Sequence, residues 1–197
     1  KNDLMTAVTE LNVAKQNVEL QFNHRMGLFL VDVSNLTSSK TVGGNTVSTT
    51  VKSVVVNNVY PTVNWNYATN TVTTSTTGSA IDVAMGLNSS SNNNNLYWAI
   101  IPAQTLGNNN ALLTITISET TTPTSGGDTT TTEKIFDYIP ASGLTITENN
   151  VTKLILKFAG NYEVSATASI NNWTNFDATG QEIDVAEYAL IPTVYDT

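Results

Sequence analysis

The sequence predicts an all-β protein, folded as a sandwich or a barrel, and three observations support this. The 197 residues include 33 Thr, which favours extended and half-exposed backbone, and 25 Asn, which favours turns. Short apolar runs alternate with polar residues at a period of two. Turn signals separate these runs at intervals of roughly 8–12 residues, the spacing of sandwiches and barrels.

The first 16 residues differ in pattern from the rest of the chain. Leu4, Val8 and Leu11 recur at roughly helical spacing there. We interpret residues 1–16 as a lead-in segment or an interdomain linker, either helical or extended. No second break in composition follows, so residues 17–197 are predicted to form one domain.

The strand signals begin just after this lead-in segment. Val18, Leu20 and Phe22 alternate with polar residues, which indicates a half-buried strand. The next run, from Met26 to Val33, is almost continuously apolar and indicates a strand that is covered on both faces. Further strands are predicted at residues 51–60, 70–75, 80–85, 96–101, 111–118, 151–158, 162–170 and 186–194. In residues 111–118, the apolar positions 113, 115 and 117 are predicted to point inward.

Two tracts of low complexity are predicted to form long polar loops. Residues 88–95 contain only Asn and Ser, and residues 120–132 are rich in Thr around a Gly126-Gly127 pair. The second tract is predicted to be a long hairpin tip. Because neither tract can bury much apolar area, we expect both to be mobile.

Charge and cysteine content exclude several classes of function. The formal net charge of −8 repels phosphate backbones, so nucleic acid is not an expected partner. The absence of Cys excludes a disulfide framework, an iron–sulfur cluster and a thiolate zinc site. No stretch approaches the roughly 20 apolar residues of a membrane-spanning helix. We therefore expect neither a metal ion nor a cofactor.

Residue types that carry catalysis are few. His24 is the only imidazole, and the chain has no Gly-x-Ser-x-Gly nucleophile elbow, so we interpret His24 as structural. Asp177, Glu182, Asp184 and Glu187 cluster near the C-terminus and could form a glycosidic acid–base pair or hold calcium. Acidic residues on a late surface segment are more often simply solvated. We predict that the protein is not an enzyme, with a surface hydrolase as the remaining enzymatic alternative.

Aromatic residues concentrate between positions 60 and 67. Tyr60, Trp65 and Tyr67 are interleaved there with Asn. Exposed rings flanked by amides could stack on a sugar and bond to its hydroxyls, but the same residues could form a packed corner of the sandwich. These three residues are the candidate glycan contact, and a carbohydrate-binding β-sandwich module is the alternative function.

Three short segments have the order and spacing of motifs in a known family. Residues 18–26 end a strand in Phe-Asn-His, residues 99–104 read Ala-Ile-Ile-Pro-Ala-Gln, and Gly160-Asn161-Tyr162 precedes Ile-Asn-Asn-Trp at 170–173. Together they resemble the fimbrillin family, the pilin and pilin-like adhesin subunits of Bacteroidetes type V pili. The resemblance extends over about residues 17–175.

The resemblance implies a transthyretin-like, antiparallel β-sandwich of the Greek-key type with long polar loops and a C-terminal extension strand. It implies a non-enzymatic fimbrial subunit or adhesin, exported as a lipoprotein to the cell surface. Contact with the outer membrane would be made only through a lipid anchor that is not in this chain. The implied partners are other pilus subunits, and glycans or proteins on host or bacterial surfaces.

The resemblance also implies assembly by β-strand exchange. Loss of an N-terminal strand opens a groove, and the terminal strand of a neighbouring subunit fills it. The best donor segment is residues 187–195, which is apolar, terminal and preceded by a loop; the alternative is that it forms the last strand of its own sandwich. The candidate donor residues are Glu187, Tyr188, Ala189, Leu190, Ile191, Thr193, Val194 and Tyr195.

Overall fold

A computed structural model describes residues 3–9, 20–88, 95–159 and 163–172, and within these ranges the chain forms 16 β-strands. In chain order they are β1 (Met5–Ala7), β2 (Phe22–His24), β3 (Gly27–Asn35), β4 (Ser38–Val42), β5 (Asn45–Val59), β6 (Val63–Asn66), β7 (Thr71–Thr74), β8 (Ile81–Ala84), β9 (Gly86–Leu87), β10 (Leu96–Ile101), β11 (Gln104–Leu106), β12 (Leu113–Pro123), β13 (Thr130–Tyr138), β14 (Leu144–Ile146), β15 (Asn150–Ala159) and β16 (Glu163–Asn172).

Two large sheets form the body of the protein. The first sheet has the order β16-β15-β3-β10-β9. The second has the order β13-β12-β5-β4, and β8 also pairs with the C-terminal end of β5. One apolar cluster draws its buried residues from both sheets, so the predicted β-sandwich is confirmed. Three short ribbons, β1-β2, β6-β7 and β11-β14, complete the described part of the chain.

The core lies between the two sheets, and alternating side chains build it. Phe29, Val31 and Val33 of β3 are fully buried in it. The predicted inward positions of β12 are confirmed, because Leu113, Ile115 and Ile117 are buried in the same cluster. Other core members are Val54, Val56, Val59, Tyr97, Ala99, Ile101, Leu154 and Leu156.

Strand β3 is buried on both of its faces, as its continuous apolar run predicts. The residues that alternate with the core positions, Leu28 and Leu30, enter a second apolar cluster with Met26, Leu96 and Val151. This outer cluster lies on the opposite face of the first sheet. Leu4 from the N-terminal segment and Val63 from β6 pack against it, together with Trp98 and Ile100.

The first sheet is mixed, because β3 pairs with β15 in parallel and with β10 in antiparallel register. A parallel partner needs a long crossover, and the chain between β3 and β15 includes all the strands of the second sheet as well as β9 and β10. A 3.3 Å ion pair between Lys153 Nζ and Asp32 Oδ2 bridges these two strands. Burial raises the pKa of Asp32, but hydrogen bonds from Ser34 and the Lys153 charge outweigh it and leave this pKa below its ordinary value.

The Thr-rich tract at 120–132 is mostly strand rather than loop. β12 and β13 run into it as far as the Thr121–Thr130 pair, leaving a short tip at residues 124–129. Thr is a good strand former, and β5 supplies a long partner, since it begins at Asn45 rather than at the predicted residue 51. Ser39, Ser48, Thr120 and Thr131 consequently form one row of hydroxyl side chains across four strands. Most of the other predicted loop, residues 89–94, lies outside the described residues.

The segment before β3 contributes less to the sandwich than its alternation predicts. β2 covers only Phe22–His24, and both Leu20 and Phe22 are exposed rather than half-buried. The reason is that, among the described strands, β2 pairs only with β1 and joins neither large sheet. Residues 17–19 and the predicted strand at 186–194 lie outside the described residues.

Tyr97 links the two sheets by a hydrogen bond as well as by packing. Its side chain is buried, its hydroxyl donates to the Val51 carbonyl of β5 at 3.1 Å, and burial raises the pKa of the phenol. We expect Tyr97→Phe to lower the free energy of unfolding by about 1–2 kcal/mol, measured by urea denaturation, because the ring is kept and the bond is lost. The half-buried Tyr138 offers a matched control, Tyr138→Phe; equal losses for both variants would contradict a contribution from the bond.

Candidate functional site

The candidate glycan residues lie on and beside a hairpin whose strands pair with neither large sheet. β6 and β7 pair in four positions, from Val63–Thr74 to Asn66–Thr71. Val63 at the base packs against the outer cluster of the first sheet. Since residues paired across an antiparallel ribbon share a face, Val63, Trp65 and Val72 lie on the same face of the hairpin.

The tip of this hairpin is a four-residue turn that its own side chains stabilise. Asn66 Oδ1 accepts hydrogen bonds from the backbone N–H groups of Ala68, at 3.0 Å, and Thr69, at 3.3 Å. This is the bonding that makes Asn a turn former. Asn70 closes the turn with a φ of 50°, a left-handed conformation that Asn tolerates better than most residues.

Trp65 and Tyr67 form a ring pair at this tip. Their ring centroids are 4.4 Å apart and the ring planes are tilted by 41°. The pair is also accessible, because Trp65 is 38% exposed and Tyr67 is 79% exposed. Two of the three predicted glycan residues are therefore brought together on the surface, rather than in a packed corner.

The third predicted residue, Tyr60, lies where the chain leaves β5. Its backbone N–H donates to Gln104 Oε1 at 2.9 Å, and its carbonyl accepts from Gln104 Nε2 at 3.1 Å. The residue is half-buried. Tyr60 is placed to anchor the base of the hairpin, and the structure shows no ring contact that joins it to Trp65 or Tyr67.

A second group of polar side chains fastens the N-terminal strand to the rest of the protein. β1 pairs with β2, and His24 Nδ1 of β2 contacts Asp3 Oδ2. Arg25 follows His24 in the chain, and the Arg25 Nε donates to Thr6 Oγ1 of β1 at 2.5 Å. The backbone N–H of Arg25 also donates to the Leu4 carbonyl at 2.7 Å.

Arg25 connects this strand to a more distant part of the chain. Its Nη1 lies 3.4 Å from Glu148 Oε1, in the turn before β15. Beside it, the Asn149 N–H donates to the Met26 carbonyl at 3.0 Å. The pattern of the sequence gives no sign of these contacts, because Asp3, Arg25 and Glu148 are far apart along the chain and the segment at 18–26, which includes Arg25, does not indicate its partners.

Several predicted site residues cannot be placed. The candidate donor segment at 187–195 and the acidic cluster at Asp177, Glu182 and Asp184 lie outside the described residues. Among the residues that are described, no group of three or more His, Asp or Glu side chains has the arrangement of a metal site. The same residues contain no helix that is long and apolar enough to cross a membrane.

The fold and the site define a β-sandwich protein that presents an exposed aromatic hairpin. The sequence profile of the fimbrillin-like family matches residues 1–173. The chain therefore belongs to the fimbrillin-like family, as the three short segments predict. No protein with a curated functional description matches this sequence.

Three solved structures are similar to the chain in parts of their length. They are a candidate cell adhesion protein from Bacteroides ovatus ATCC 8483 (11% identity, TM-score 0.45, 79% of this chain and 48% of that one), another from Bacteroides eggerthii DSM 20697 (13%, 0.35, 78% and 57%), and the tip fimbrial protein Mfa3 from Porphyromonas gingivalis with a C-terminal truncation (11%, 0.38, 77% and 52%). The chain thus spans about half the length of these proteins.

Proposed function

We propose that this chain is a non-enzymatic fimbrial subunit or adhesin of the bacterial cell surface, which joins other subunits by β-strand exchange. The observation that carries the proposal is the fimbrillin-like match over residues 1–173. The proposal includes attachment to the outer membrane through a lipid anchor. Residues 17–197 would act as one domain, with residues 1–16 as the segment that leads into it.

The N-terminal strand supports the exchange step by its position. β1 has only three residues, and among the described strands it pairs with β2 alone. Leu4 beside it packs against the outer cluster of Leu28, Leu30 and neighbouring residues. Loss of this segment would uncover apolar side chains, and a donated strand with apolar residues at alternate positions would bury them again.

The donor segment has the composition that this role requires. Tyr188, Leu190 and Val194 fall on one face of an extended strand, where they could fill apolar pockets of a neighbouring subunit. Pro192 lacks a backbone N–H, so at that position the strand can pair only through its carbonyl. Such a strand suits an edge position, which is the position of a donated strand.

Truncation of the chain after Gly180 tests the donor role. We expect the truncated protein to remain folded, by circular dichroism, and to lose the ability to polymerise in size-exclusion chromatography and electron microscopy. Leu190→Asp should have the same effect, whereas Glu187→Gln, on the same segment, should polymerise normally. Assembly that survives the truncation would overturn strand donation by this segment. A truncated protein that unfolds would show that the segment belongs to its own sandwich.

A carbohydrate-binding module is the second candidate function. The observation that favours it is the accessible Trp65–Tyr67 ring pair. Two measurements distinguish the candidate functions. A pilus subunit polymerises without added sugar, whereas a carbohydrate-binding module is retained on a polysaccharide affinity gel. An adhesive subunit would do both.

A further inference from the structure

We infer that the β6-β7 hairpin binds a neutral glycan, with one pyranose ring stacked on Tyr67 and with Trp65 supporting Tyr67 from the other side. The inference rests on the proposed adhesin function and adds the chemical class of its ligand. It assigns the contact to two of the three aromatic residues in this part of the sequence and leaves Tyr60 in a supporting position.

The hairpin holds the two rings in place before any ligand arrives. Its base is closed by a hydrogen bond from the Ser75 N–H to the Thr62 carbonyl, at 2.8 Å. The Thr74 hydroxyl donates to the Ala103 carbonyl at 2.5 Å, which ties the hairpin to the segment after β10. With Val63 packed on the outer cluster and the turn stabilised by Asn66, the backbone that carries the two rings has little conformational freedom to lose on binding.

The geometry of the rings sets the size of the ligand surface. At a centroid distance of 4.4 Å, one face of Tyr67 is turned towards Trp65, and the 79% exposure of Tyr67 leaves its other face open. Because the planes are tilted by 41°, the two rings do not make a flat surface two rings wide. The open face of Tyr67 therefore fits a single sugar ring.

The charge of this region selects a neutral ligand. The sequence has no charged residue between Lys52 and Asp82, although the chain carries a net charge of −8. An acidic glycan would be repelled by the field of the whole protein, and a cationic ligand would find no carboxylate on the hairpin. A neutral pyranose offers an apolar C–H face to an aromatic ring and hydroxyls to polar side chains.

The polar side chains of the tip match the remaining needs of a sugar. Asn64 and Asn66 are exposed and alternate with Trp65 along β6, and the hydroxyls of Thr69 and Thr71 share a 2.8 Å hydrogen bond at the tip. Amides and hydroxyls can both donate and accept hydrogen bonds, as sugar hydroxyls require. A stable protein interface needs about 1,000 Å² or more of buried surface, so two rings on a narrow tip suit a sugar better than a protein partner.

Binding to immobilised hexaoses of glucose, galactose and mannose tests the inference, with polysialic acid as the charged comparison. We expect the full chain to bind at least one neutral hexaose, and Tyr67→Ala and Trp65→Ala to weaken that binding by about tenfold or more. Tyr67→Phe keeps the ring and should bind nearly as well as the unaltered protein. Phe22→Ala removes an exposed ring from the β1-β2 ribbon and should have no effect.

Three outcomes of the binding assay would overturn the inference: no binding to any neutral hexaose, equal binding by Tyr67→Ala, or binding to polysialic acid alone. Loss of self-association in Tyr67→Ala, measured by light scattering, would instead identify the hairpin as a contact between copies of the protein and would also overturn it. The truncation after Gly180 separates the two claims. If the truncated protein still polymerises, strand donation by the C-terminal segment is contradicted. If it also still binds glycan, the present inference is unaffected.

Discussion

Phe29→Ala and Leu30→Ala are each expected to destabilise the protein severely, although the two side chains point to opposite faces of β3. We expect the free energy of unfolding to fall by about 3–5 kcal/mol for Phe29→Ala and by about 2–5 kcal/mol for Leu30→Ala, measured by urea denaturation. Both side chains are fully buried, Phe29 in the core between the sheets and Leu30 in the outer cluster. Each truncation removes apolar contacts and leaves a cavity.

The matched control for this pair is Ile135→Ala on β13. Ile135 is an apolar strand residue too, but it is 70% exposed, so its truncation should change the free energy of unfolding by no more than about 0.5 kcal/mol. A loss below about 1 kcal/mol for Leu30→Ala would mean that the outer face of β3 is effectively solvated. The interpretation that the N-terminal segment and the β6-β7 hairpin cover that face would then be wrong.

The sequence predicts those parts of the fold in which burial alternates along a strand. Leu113, Ile115 and Ile117 lie inward as expected because each alternate residue of β12 faces the core. The run from Met26 to Val33 predicts burial on both faces because no polar residue interrupts it before Asp32. These signals are local, so a single sequence is enough to detect them.

Which strands pair with each other depends on contacts between residues that are distant in sequence. The alternation of apolar and polar residues along the chain carries no information about these pairings. Nothing in residues 150–159 distinguishes a parallel partner of β3 from an antiparallel one. The Thr tract at 120–132 has the composition of a loop, and it becomes strand because β5 extends far enough to pair with it. The alternation of Leu20 and Phe22 predicts half-burial, and the two side chains are exposed because β2 has no large sheet to join.

The candidate site was predictable in its residue types and not in its arrangement. Aromatic residues among Asn indicate a possible sugar contact wherever they lie. Only the register of β6 with β7 and the turn at residues 67–70 bring Trp65 and Tyr67 together on an exposed tip. Tyr60 belongs to the same aromatic and Asn-rich stretch of sequence. Its backbone is hydrogen-bonded to Gln104, which is far along the chain, and this bond holds Tyr60 at the base of the hairpin, away from the ring pair.

Gly27→Ala is the second substitution expected to have a large effect. A Cβ atom on Gly27 would overlap the Cγ2 atom of Ile146 and lie only 2.7 Å from the backbone oxygen of Thr147. Ile146 is buried in the core and a backbone oxygen cannot rotate away, so β3 and the segment after β14 would have to separate. We expect the free energy of unfolding to fall by about 2–3 kcal/mol, the upper part of the range for overpacking.

Gly78→Ala is the matched control, because no heavy atom lies within 4 Å of a Cβ at that position. It should be neutral, or stabilise the protein by about 0.4–1 kcal/mol by restricting the unfolded chain. Thermal and urea unfolding of the two variants measure the difference directly. If Gly27→Ala were as stable as Gly78→Ala, β3 would not pack closely on the segment that leads into β15. The Met26–Asn149 hydrogen bond that depends on this close approach would then need another explanation.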